Sequence, residues 1–190
     1  MSHRILPNDQ IAAIIPSYTP HGDQAVIIST TGKSTPTGTT IHTVIKRLAR
    51  SSTTDLIALR AYTAQITQRA ILQPLPLAPG LVLVPVKVRQ PKISGDTCTG
   101  YVNLLAITAV TNNQQPPYRS TLILTGGTEL PVIWSTVTIH RHLQHARLVM
   151  NQAANRQTLR ENPENYPAIA GIATKLIDVI YEILALKRNS

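Results

Sequence analysis

The chain has 190 residues, 43% of them hydrophobic and 4% aromatic, with no phenylalanine. That is enough apolar material for one sizeable core, and no apolar run approaches the roughly eighteen residues of a membrane span. Eighteen Lys and Arg against nine Asp and Glu give a formal charge of +9 and a pI near 10.1, which favours a polyanionic partner and leaves few carboxylates for paired acid–base catalysis.

The charge excess is uneven. Between Lys33 and Arg119 stand ten basic residues and two acids, Asp55 and Asp96, whereas the tail beyond Thr128 is nearly balanced. A bias confined to one half reads as a binding surface for nucleic acid. A single cysteine, Cys98, and no leader pattern of basic, apolar and small residues set a cytoplasmic expectation.

Residues 4 to 30 alternate apolar runs, Ile11 to Ile15 and Ala25 to Ile28, with the turn formers Pro7, Asn8, Pro16, Pro20 and Gly22, as strands joined by loops do. The next stretch, STTGKSTPTGTT, contains Gly32-Lys33-Ser34, which looks like the end of a phosphate-gripping loop. The first glycine of such a loop would have to stand at Ile27, and Pro36 would interrupt the helix that it feeds. Thr31-Gly32-Lys33 therefore reads as a turn that ends a strand.

From Thr39 the period changes. Ile41, Val44, Ile45 and Leu48 recur at spacings of three and four, predicting a helix with Lys46, Arg47 and Arg50 on or beside its exposed face. Asp55 is placed to cap a second helix, with apolar positions Leu56, Leu59, Tyr62 and Ile66 and one basic residue, Arg60. The prolines Pro74, Pro76 and Pro79 argue against helix in the next segment, and Leu81 to Val86 reads as a buried strand. Lys87, Arg89 and Lys92 then occupy a polar loop ending at Gly95, a candidate contact to a phosphate backbone. Gly100 to Val110 reads as one long strand, and Ser120 to Trp134 as a hairpin turning at Gly126-Gly127, so an antiparallel meander is expected.

Ser135 or Thr136 can cap a third helix, with Ile139, Leu143, Ala146 and Met150 on its apolar face and Arg141, Gln144, His145 and Leu148 elsewhere. His142 and His145 are three apart, but no acid or cysteine nearby completes a ligand set; the segment reads as a solvated polar helix face, and no metal is expected. Cys98 lacks a nucleophile motif. Asn151 to Pro163 reads as a polar link to a last helix whose stripe contains Ile169, Ile172, Leu176, Ile180, Ile183 and Leu184, with Ile177, Val179 and Leu186 off it. A helix apolar on more than one side wants two partners, so Ile172, Leu176, Ile180 and Ile183 are expected at an oligomer seam. The fold class that results is α+β: an antiparallel sheet with packed helices in a DNA-binding domain over residues 1–160, and a C-terminal helical segment over 161–190 for oligomerisation.

The chain resembles the competence transcription factors of Gram-positive bacteria (ComK) in an ordered set of short motifs. These are Leu83-Val84-Pro85, then Gly100-Tyr101-Val102, then Gly127 before Glu129-Leu130-Pro131, and finally Gln144 with Arg147, in an arrangement running from about Ile41 to Leu186. A helix starting near Thr40 and the step Arg50-Ser51-Ser52 also fall where the family has theirs. The family's basic segment after that step is replaced here by TTDLIALR, with Arg60 alone. The resemblance implies a transcriptional activator of DNA-uptake genes that binds AT-rich duplex sites through the minor groove as a homodimer or tetramer. From the charge distribution the candidate DNA contacts are Lys46, Arg47, Arg50, Arg60, Lys87, Arg89, Lys92, Arg141 and Arg147, and neither catalysis nor a cofactor is expected, with a nucleoid-associated location. Tyr166-Pro167 resembles a step linked to capture by a Clp-protease adaptor. Two other readings stay open from composition: a small enzyme or binding protein for a phosphorylated ligand, and a nucleic-acid binder without sequence preference.

Overall fold

The computed structural model describes residues 6–20 and 22–161. The chain divides into two units, residues 1–150 and 151–190. In the first, β1 (Ile11–Thr19) and β2 (Gly22–Ser29) form a hairpin and β3 (Ser34–Pro36) extends it. Between β2 and β3 the chain makes a tight turn: the Gly32 N–H donates to the Ser29 carbonyl and the Ser29 N–H to that of Lys33, both at 2.9 Å, with Gly32 at φ +83°. The Gly-Lys-Ser stretch is a turn and an edge strand, as the missing first glycine implied.

Helix α1 (Ile41–Ser51) starts at Thr40, whose hydroxyl accepts from the Thr43 N–H. The predicted stripe is its buried face: Ile41, Val44, Ile45, Leu48 and Ala49 are all at most 5% exposed. Burying a side chain such as Ile45 or Leu48 contributes about 2 kcal/mol, so this face rather than helix propensity holds α1 in place. Helix α2 (Leu56–Thr67) is capped by Asp55, whose carboxylate accepts from the N–H groups of Ile57 at 2.7 Å and Ala58 at 3.3 Å. Its expected apolar stripe is only half-buried. The fully covered positions are Thr63 and Thr67, whose hydroxyls donate to the carbonyls of Arg60 and Thr63 and so are satisfied within the helix.

After α2 come β4 (Leu75–Ala78), β5 (Leu81–Lys87) and β6 (Thr99–Asn103). One antiparallel sheet results, in the order β3-β2-β1-β6-β5-β4. It is two three-stranded meanders joined at β1 and β6, not the single meander expected. Both of its faces are covered. Ile11, Ile14, Ala25, Leu81 and Leu83 pack with α1, whereas Val82, Val84, Val86 and Val102 face a second layer. Burial on both sides explains why β5 reads as an unbroken apolar run.

The long strand expected over Gly100 to Val110 is two. β6 ends at Asn103, a 3-10 turn spans Leu104–Ala106, and β7 (Ile107–Asn112) joins a separate antiparallel sheet with β8 (Ser120–Leu124) and β9 (Glu129–Val132). The break is made by Asn103, which is 2% exposed. Its amide donates to the carbonyls of Ile11 and Gly80 and its side-chain oxygen accepts from the N–H groups of Val82 and Leu105, an arrangement that no continuing strand could supply. Gly126 and Gly127, at φ +83° and +74°, make the predicted turn between β8 and β9.

Helix α3 (Thr136–Glu161) begins after Ser135, whose hydroxyl accepts from the Thr138 N–H. Ile139, Leu143 and Ala146 are buried against the second sheet and the far face of the first, with Met150 partly buried beside them. The segment expected as a polar link from Asn151 is helical through Glu161. The fold is therefore α+β; within the first unit α1 lies on one side of the six-stranded sheet, and the three-stranded sheet with α3 as far as Met150 lies on the other. Ile172, Leu176, Ile180, Ile183 and Tyr166-Pro167 lie outside the described residues.

Candidate nucleic-acid interface

Because one face of α1 is fixed to the sheet, its other face is held outward. Lys46, Arg47 and Arg50 are exposed there, with His42 one turn before Lys46. A rise of 1.5 Å per residue sets Lys46 and Arg50 about 6 Å apart along the helix axis. Among the described residues, none of these cations has a carboxylate partner, and the one ion pair is Arg89 with Asp23. The acids nearby are used elsewhere: Asp55 caps α2, Asp23 holds Arg89, and Asp96 holds a loop. An unneutralised row of cations on a rigid helix is the electrostatic footprint of a phosphate-binding surface.

The sheet adds to this side. β5 and β6 pair Pro85 with Tyr101 and Lys87 with Thr99. Tyr101 packs with the core beneath α1, so strand alternation puts Thr99 and the half-buried Lys87 on the same sheet face. Exposed Arg60 reaches the same region from α2. It lines a cleft of about 320 Å³ together with His42, Thr97, Thr99 and Tyr101, over Ile41 and Ile45. Burial pushes the Tyr101 phenol pKa up, and the Arg60 charge opposes the rise.

The loop after β5 is built differently from the expectation of a free basic contact. Arg89 donates from Nε to the Thr97 carbonyl at 2.9 Å, pairs with Asp23 at 2.8 Å, and lies 3.7 Å from the centre of the Tyr18 ring. Its side chain is 12% exposed. Arg89 is thus an internal clasp between the loop and the β1–β2 hairpin. The Asp96 carboxylate accepts from the Tyr18 hydroxyl and from the Lys92 and Ile93 N–H groups at 2.8 and 3.0 Å, which holds its pKa below the usual value, the Tyr18 bond being the main cause. Lys92 is exposed, with Nζ 4.3 Å from the centre of the Tyr18 ring. Its charge is presented at the surface on a loop tied by Asp96 to Tyr18 and by Arg89 to Asp23.

Arg141 and Arg147 are exposed on α3, across the six-stranded sheet from α1. As basic residues they group with the α1 cations as candidate contacts; the fold places them on the other side of the sheet. The same helix corrects the reading of HRHLQH as a solvated face, because His142 is 4% exposed and stacked on Trp134, with ring centres 4.6 Å apart and planes 18° from parallel. Burial, with the charges of Arg69, His145 and Arg141, lowers its pKa from 6.5 to about 4, and His145 is lowered as well, again mainly by burial. Among the described residues no group of three or more His, Cys, Asp and Glu could hold a metal, and no helix is long and apolar enough to cross a membrane.

Of the nine predicted contacts, then, Lys46, Arg47, Arg50 and Arg60 share the α1 side with Lys87, Lys92 sits on a tethered loop, Arg89 is spent internally, and Arg141 and Arg147 occupy the opposite layer. The sequence reading passed over His42, Thr97 and Thr99, and named Tyr101 only as part of a motif, not as a site residue. His42 carried a signal in its four-residue spacing from Lys46, whereas the threonines and the tyrosine carried none, since only pairing of β5 with β6 brings them there. No family model, no curated protein and no solved structure matches this chain.

Proposed function

We propose that this chain binds duplex DNA through the outer face of α1 and acts as a transcriptional activator of the competence type. The observation that carries the reading is the row Lys46, Arg47 and Arg50: exposed, fixed in orientation by the buried face of the same helix, and without a carboxylate partner among the described residues. Such a row neutralises phosphates and positions the protein on the duplex, and it gains further from the deeper negative potential of a narrow A·T minor groove. With aromatic residues at 4% and no phenylalanine, stacking on unpaired bases is a poor fit. The ordered motifs shared with the competence factors point the same way and supply the finer expectations: AT-rich sites, activation of DNA-uptake genes, and assembly through Ile172, Leu176, Ile180 and Ile183.

The test is a fluorescence-anisotropy titration of duplexes with two short A/T tracts at varied spacing, against a G·C-rich duplex, with and without a minor-groove competitor. Tighter, spacing-dependent binding that the competitor removes is the expected result. Equal binding to both duplexes reduces the protein to a non-specific DNA binder.

A further inference from the structure

The cleft between α1, α2 and the start of β6 is lined by five side chains that can each donate a hydrogen bond to a ligand. Arg60 supplies a guanidinium, His42 an imidazole, and Thr97, Thr99 and Tyr101 hydroxyls. Among the described residues none of these five side chains has a hydrogen-bond or ion-pair partner. No carboxylate lines the cleft, so nothing in its wall competes for the guanidinium. The helix start is not what makes the site, because the Thr40 hydroxyl already caps the Thr43 N–H.

What fits is a group that is negative and accepts hydrogen bonds on several sides. A carboxylate presents two coplanar oxygens and a single negative charge, a narrower spread of acceptors for donors carried on a helix, a second helix and a strand start. A phosphoryl group presents three or more oxygens in a tetrahedral array and pairs well with guanidinium. The buried walls of Ile41 and Ile45, 5% and 2% exposed, give the floor an apolar surface that weakens competition from water. At about 320 Å³ the space exceeds one phosphoryl group and falls at the lower end of small-ligand pockets.

We infer that this cleft is a binding site for a single phosphoryl group, carried either by a small phosphate ester or by the DNA backbone. Lys46, Arg47 and Arg50 do not line it, so it stands apart from the α1 row. The site can be present whether or not that row binds DNA.

The experiment is a calorimetric and ³¹P NMR titration of the full chain with inorganic phosphate, ribose 5-phosphate and, as control, ribose. Arg60→Met and Tyr101→Phe are compared with the parent, each checked for an unchanged circular-dichroism spectrum. Saturable binding of the two phosphates but not of ribose, weakened about tenfold by Arg60→Met and less by Tyr101→Phe, assigns the site to small esters. No small-ester binding, but a comparable loss of duplex affinity in the same two variants, assigns it to a DNA phosphate. A triple replacement of Lys46, Arg47 and Arg50 by Ala leaves the small-ester titration unchanged. The inference is overturned if Arg60→Met and Tyr101→Phe both leave every titration within about twofold of the parent.

Discussion

His142 shows how far one residue can depart from its sequence context. Amid Arg141, His140 and His145 it reads as surface, yet it lies flat on Trp134 inside the molecule. Its lowered pKa sets the sign of a pH effect: the native imidazole is neutral, and the unfolded one takes up a proton near 6.5. Between about pH 4 and 6.5 the unfolded chain therefore binds more protons, so the stability due to neutral His142 is complete above that window and is lost as pH falls through it. Urea unfolding is expected to show a falling midpoint from pH 7 to pH 4.5, and His142→Phe, which keeps a flat ring against Trp134, is expected to flatten most of that fall. Identical profiles for the two proteins would refute the buried neutral imidazole.

At the level of elements, the legible parts are those fixed by local chemistry. The three- and four-residue spacing of Ile41, Val44, Ile45 and Leu48 marked α1 and its buried face, and Asp55 and the Gly126-Gly127 pair marked a cap and a turn without help from distant residues. What stayed hidden depends on distant partners. The split between β6 and β7 rests on Asn103 reaching Ile11, Gly80 and Val82, and the true inner line of α2 runs through Thr63 and Thr67, which a hydropathy pattern scores as polar. The turn between β8 and β9 likewise has a distant neighbour. A Cβ on Gly126 would lie 2.6 Å from the Gly32 nitrogen and the Thr30 oxygen, at φ +83°, whereas one on Gly127, at φ +74°, would meet nothing within 4 Å. Gly127→Ala is expected to cost about 1 kcal/mol of backbone strain, and Gly126→Ala about 2 to 4 kcal/mol, because two turns must also move apart. Thermal or denaturant unfolding of the pair decides it; equal losses would mean that the two turns do not pack.

For the first unit as a whole, the sequence showed that cations are in excess and the fold decides which of them act together. Asp23 and Asp96 take Arg89 and its loop out of the free charge, and the six-stranded sheet stands between Lys46, Arg47 and Arg50 on α1 and Arg141 and Arg147 on α3. Neither fact could be read from spacing, because both arise from strands paired across long stretches of chain. If α1 is the surface that meets DNA, its charges must appear in the salt dependence of binding, where each phosphate contact contributes a slope of about 0.9. The measurement is the slope of log K against log salt on an A/T-tract duplex for the parent, for the Lys46→Ala, Arg47→Ala, Arg50→Ala variant, and for Arg141→Ala with Arg147→Ala. The α1 surface predicts a slope shallower by about 2 to 3 in the triple variant and little changed in the α3 pair. An unchanged slope in the triple variant, or an equal change in the α3 pair, would contradict it.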